Sequence, residues 1–184
     1  LLIVYRSPVL PVIVLLTSIL ALGAASFVIY QLAANDVITL NGQSQGILFI
    51  LVIGATTDYS LLLVARFREE LRRTEYQVDA MRATLKGTLE AILASGGTVI
   101  LGVMTLVLSE LNSNRGLGPV AAVGIAFAML ASLTFLPAVL VMLGRKAFWP
   151  VRPKLDLTHP QAQVTGFWAR VAATVDRKPR VVLL

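Results

Sequence analysis

Residues 51–71 read LVIGATTDYSLLLVARFREEL. Up to Ala65 the stretch carries one charge, Asp58, among apolar, small and hydroxyl neighbours. It then closes abruptly on Arg66, Arg68, Glu69 and Glu70. Extended back to Gly46, the uncharged company of Asp58 is long enough to cross a bilayer, which takes about 20 mainly apolar residues. A carboxylate near the middle of such a helix costs roughly 2.5–3.5 kcal/mol on insertion scales. Its presence asks for protonation, an opposite charge or a water-filled cavity.

The rest of the chain supports a membrane setting. Of 184 residues, 57% are hydrophobic and only 14% charged, against about 25% charged in ordinary soluble domains. Three further apolar segments join 46–65: 9–30, 91–108 and 117–143. The expected fold is all-α, a polytopic transmembrane helix bundle. There is no cysteine and a single histidine, His159, so neither a disulfide framework nor a metal site is expected.

The net charge of +6 could suit nucleic acid, but the distribution of the charges argues for a bilayer and no nucleic acid. Arg6 precedes the first span. Arg66, Arg68, Arg72, Arg73, Arg82 and Lys86 fall between the second and third. Eight more, from Arg145 to Arg180, follow the fourth. Arg115 alone lies on the opposite side of an alternating topology. Basic loops stay on the cytoplasmic side, which places 66–90 and 144–180 in the cytoplasm and the protein in the plasma or inner membrane.

Within 67–90, Leu71, Val78, Met81, Leu85 and Leu89 recur at seven, three, four and four. This spacing predicts one amphipathic helix lying on the membrane surface. The bundle is expected to cover 1–149. Residues 150–166, rich in proline, read as a cytoplasmic linker, and 167–184 as an amphipathic helix leading into another span. "LLIVY" at the start and "RVVLL" at the end read as pieces of spans, so the sequence reads as an internal fragment. Phe148, Trp149 and Trp168 are expected interfacial anchors.

No Lys or Arg lies inside any of the four spans, so Asp58 has no counter-ion there. It is a group that can gain and lose a proton. Tyr59 beside it points about 100° away and is suited to reach a neighbouring helix. In the third span Ser95, Thr98, Gly102 and Thr105 form a polar and small stripe, with Ser95, Thr98 and Thr105 as supporting hydroxyls. Gly54, Gly102 and Gly124 are expected at helix contacts, and Pro137 should kink the last span.

The stretch GATTDYSLLLVARFREEL, the preceding YRSP and the small-residue helix that follows resemble the mycobacterial membrane protein large (MMPL) family of the resistance-nodulation-division superfamily. The match is to the fourth transmembrane helix. The resemblance implies that these are spans three to six, in one half of such a transporter's membrane domain. It implies a proton relay built on Asp58 and Tyr59, and a second half that belongs to the same polypeptide. It implies proton-driven export of lipids, lipid-linked metabolites or hydrophobic drugs, with the proton as coupling ion and no other cofactor. A homo-oligomer is left open.

Three other classes compete. A protein-export accessory of the same superfamily usually has Asp-Ala-Asn where this chain has Asp58, Tyr59 and Ser60. A sterol-sensing-like, non-transporting domain has no need of a titrating acid. An intramembrane aspartyl protease needs two facing aspartates, and the four spans hold one, so an enzyme is not expected.

Overall fold

A computed structural model of the chain describes residues 7–38, 40, 42–109 and 111–150. Four helical passes account for most of them, and no strand occurs among the described residues. Helix α1 is Val9–Ala34, α2 Gly42–Arg73, α3 Gln77–Met104, α4 Asn112–Leu133 and α5 Phe135–Leu143. Short 3-10 turns, Thr105–Leu108 and Gly144–Phe148, extend α3 and α5. The passes Val9–Ala34, Gly42–Arg73, Gln77–Leu108 and Arg115–Phe148 are each long and apolar enough to cross a membrane.

Helices dominate because, in hydrocarbon, a backbone N–H or C=O has no water to bond and must be satisfied within its own helix. Apolar burial drives little association there, because lipid tails are as apolar as leucine. Helices meet instead where small side chains let them approach. Helix α4 is the hub, packing against α1, α2 and α3. At Gly124 a Cβ would lie 2.6 Å from Leu48 Cδ1 and 2.9 Å from Val52 Cγ2, so α2 presses its side chains onto bare α4 backbone. At Gly118 a Cβ would lie 2.8 Å from the Val103 carbonyl oxygen at the end of α3.

The last pass breaks at Thr134, between α4 and α5. Pro137 has no N–H to give the Leu133 carbonyl, and its ring crowds that carbonyl. The Thr134 hydroxyl turns back to the Leu130 carbonyl at 2.6 Å.

Residues 67–90 do not form the single surface helix that their spacing predicts. Helix α2 continues unbroken to Arg73, the chain turns through 74–76, and α3 starts at Gln77. The apolar series thus belongs to two helices. Leu71 and Met81 are buried, while Val78 and Leu89 stand exposed. The buried residues of α3 are Ala80, Met81, Thr84, Thr88, Ile92 and Gly96; all but Met81 follow a four-residue step on a helix of 3.6 residues per turn. The turn falls where Arg72 and Arg73 end α2, a favourable place for cations at a helix C-terminus.

The end of the bundle near this turn is tied by the 3-10 segment. Arg145 Nη2 donates to the carbonyls of Leu71 at 2.7 Å and Thr74 at 3.0 Å, serving two of the acceptors that a helix end leaves open. The Ser7 hydroxyl donates to the Ala147 carbonyl at 2.8 Å, which brings in the start of α1. Phe148 is not an interfacial anchor. It is 1% exposed, with its ring centroid 6.2 Å from that of Phe67 and the Arg68 guanidinium 5.9 Å away. Trp149 is exposed. Arg6, the linker and the helix expected after residue 150, and Trp168 lie outside the described residues.

Arg145→Gln should lower stability by about 1.5–3 kcal/mol, the range for hydrogen bonds from a charged donor. Thermal unfolding in detergent, followed by circular dichroism, checks this. An unchanged midpoint would mean that the α2 end needs no such donor.

Candidate functional site

Helix α2 exposes one flank and buries the other. Tyr59 is 8% exposed, whereas Asp58 lies exposed on the outer flank of the four-helix unit. The acid is therefore not sealed within the core of these helices. The physical reason is the 100° step between neighbours on a helix. The flank of α2 that carries Val52, Thr56, Tyr59, Ser60 and Leu63 meets the other helices, and Asp58 falls outside it.

The two residues share a cavity of about 330 Å³, lined by Ile50, Leu51, Gly54, Ala55, Asp58, Tyr59, Ser95, Val99 and Ile125. Three helices build it. Helix α2 supplies most of the wall, α3 supplies Ser95 and Val99 one turn apart, and α4 supplies Ile125 from behind. Tyr59 and Ser95 both line it, so the phenol shares the recess with a hydroxyl of a neighbouring helix. Among the described residues no basic side chain pairs with Asp58. Two arginines that follow it on α2 pair with acids of that helix: Arg66 with Glu69 at 2.9 Å and Glu70 at 2.8 Å, and Arg73 with the same two acids.

Chemically, this is a carboxyl beside a phenol and an alcohol, and the phenol and the alcohol can each donate and accept a hydrogen bond. Aliphatic side chains surround the three. The polar groups are few and share an apolar recess that opens to the outside of the four helices.

The supporting stripe divides. Ser95 lines the cavity. Thr98 and Thr105 do not; all three are exposed, but Thr98 and Thr105 turn back on their own backbone. Thr98 Oγ1 donates to the Ala94 carbonyl at 2.8 Å, and Thr105 Oγ1 to that of Gly102 at 2.7 Å. Ser95 and Val99 lie some 40° apart around α3, while Thr98 falls on the far side of Ser95. Of the glycines, Gly124 is in close contact with α2, whereas nothing lies within 4 Å of a Cβ at Gly54 or Gly102. Gly54 instead opens the cavity wall one turn from Asp58.

Ile125 was not singled out by its sequence, because an isoleucine in an apolar span looks like every other. The neighbouring Gly124 was the available signal, since it marks the level at which α4 touches α2.

The sequence model of the MMPL family matches residues 1–182. The chain is 53% identical over 180 residues to a protein of Streptomyces coelicolor named as a membrane protein, covering 98% of this chain and 25% of that one. It is 36% identical over 154 residues to the apo-petrobactin exporter of Bacillus anthracis, covering 84% of this chain and 21% of the exporter. It is 29% identical over 187 residues to the sulfolipid-1 exporter of Mycobacterium tuberculosis, covering 100% of this chain and 16% of the exporter. The chain thus spans a quarter or less of the length of these curated relatives. No solved structure is significantly similar to it.

Tyr59→Phe and Ser95→Ala should each destabilise by about 0.5–1.5 kcal/mol, the net worth of one neutral hydrogen bond. The double variant should lose less than the sum, because residues that share a bond are not additive. A thermal double-mutant cycle measures the coupling. Strict additivity would show that the phenol and the alcohol do not depend on each other.

Proposed function

The chain belongs to the MMPL family, and from that premise we propose that it is the first-half membrane unit of a proton-driven exporter. Asp58 binds and releases the proton. Tyr59 positions or passes it, and Ser95 holds Tyr59. The observation that carries this reading is the shared cavity: an acid, a phenol and an alcohol from two helices meet in an aliphatic recess, with no cation pairing the acid among the described residues.

Because Asp58 faces outward from the four helices, its remaining partners come from elsewhere in the whole protein, and the matching second half is the proposed source. Closing that half over the recess would dry it, and a carboxyl gaining or losing charge would then favour one arrangement of the halves over another. A membrane potential of 100 mV supplies about 2.3 kcal/mol per proton moved across, enough to bias such a rearrangement about fortyfold.

The cargo proposed is lipid, lipid-linked metabolite or hydrophobic drug. One relative is named for a sulfolipid and another for a siderophore, which supports an amphiphilic cargo carrying polar groups. Tyr59 and Ser60 favour this reading over a protein-export accessory. The chain is placed in the plasma or inner membrane, with 66–90 and 144–180 cytoplasmic and with bilayer lipid around it.

Asp58→Asn in the full-length protein, reconstituted in vesicles with a pH gradient, should insert normally and bring export to background. Export at the parent rate would reject the proton role and favour a scaffold of the sterol-sensing kind.

A further inference from the structure

Gly96 follows Ser95 and is the last buried residue of α3. A Cβ at this position would overlap Met129 Sδ and lie 2.9 Å from Met129 Cε and 3.0 Å from Cγ. The thioether thus rests on bare α3 backbone, filling the space that any larger residue at 96 would take. Met129 belongs to α4 and is only 8% exposed. One turn before it, Ile125 forms the rear of the cavity that holds Asp58, Tyr59 and Ser95.

The position of this contact gives it leverage. Most of α3 is uncovered in this unit: 11% of its most apolar window is buried, against 39–44% for the other three passes. Beyond Gly96 no residue of α3 proper is buried. The close approach of α3 to α4 nearest Ser95 is therefore the one where Met129 sits on Gly96, with Gly118 against Val103 as the next, about two turns farther along α3. Packed interiors register a change of one methylene, so a change in bulk here moves α3 relative to α2.

We propose that Met129, seated on Gly96, is a positioning residue for Ser95 and Tyr59. Its bulk fixes the standing distance of α3 and so keeps the Ser95 hydroxyl within reach of the phenol. This deepens the proton-relay reading and rests on it for what the pair does. The geometric part stands apart from it.

The test uses the full-length protein and two readouts. The first needs no transport. In a background cleared of other cysteines, Tyr59→Cys and Ser95→Cys are bridged by a short bis-thiosulfonate reagent. This chain contributes no native cysteine to remove. Gly96→Val should slow bridging roughly tenfold, and adding Met129→Ala should bring it back to within about twofold of the parent, because overpacking is relieved when total volume is kept. Met129→Leu, which conserves volume, should leave bridging unchanged. If Gly96→Val does not insert, Met129→Ala alone should still shift the bridging rate by about threefold or more.

The second readout is the pH profile of export with Tyr59 and Ser95 intact. Gly96→Val should displace it, and Gly96→Val with Met129→Ala should return it. Bridging that ignores both Gly96→Val and Met129→Ala overturns the proposal. So does a profile that stays in place while bridging falls, because Met129 is then packing and no more. If Asp58→Asn exports normally, the relay reading fails by itself, and the bridging result still decides whether Met129 positions the pair.

Discussion

Close backbone approach around α4 is the constraint on which the other features depend. In a bilayer no apolar driving force gathers helices, so they gather where side chains are absent. Three glycines supply those places on three contacts. Gly124 receives Leu48 and Val52 of α2, Gly118 stands against the Val103 carbonyl, and Gly96 receives Met129. Two lie on α4 and one on its partner. Together they fix α2 and α3 against a common support, and the angle between those two helices decides whether Tyr59 meets Ser95.

At the other end of the unit the chemistry is ionic. Glu70 is 6% exposed and lies between Arg66 and Arg73. A buried carboxylate with two guanidinium partners is tolerable, whereas the same acid with neither would be a heavy burden. Arg145 then closes the last turn of α2, and Phe148 fills the space beside Phe67. These contacts bind the start of α1, the end of α2 and the 3-10 segment after α5 into one base. Asp58 lies about two turns above Arg66 on the same helix, so the base holds the lower end of the helix whose middle carries the acid.

Much of this was legible. Length and apolarity of the four segments announced the passes, and Pro137 announced the break near Thr134. The charge of Asp58 in apolar company marks it out in the sequence alone. What misled was periodicity read across a turn. Leu71 and Met81 do lie on buried faces, but of two helices rather than one, because the series cannot register that the chain reverses at 74–76. Thr98 on α3 and Thr105 in the turn that follows it spend their hydroxyls on their own backbone; the rotation of α3 turns Thr98 away from the cavity, and Thr105 lies about 15 Å farther along the pass than Ser95. Phe148 had the composition of an interfacial residue and became core because Phe67 stood opposite it.

The sequence by itself determined the class of solvent, the number of passes among these residues, and the residue that carries the charge. These follow from composition and length, since transfer of each side chain into hydrocarbon is nearly a local matter. Only the tertiary structure decided that Tyr59 turns inward while Asp58 turns outward, that Ser95 is the hydroxyl of α3 that shares their recess, and that Ile125 lines its rear. Those outcomes depend on which flank of each helix a neighbour covers. Coverage is set by contacts between residues far apart in the chain, which no local spacing encodes.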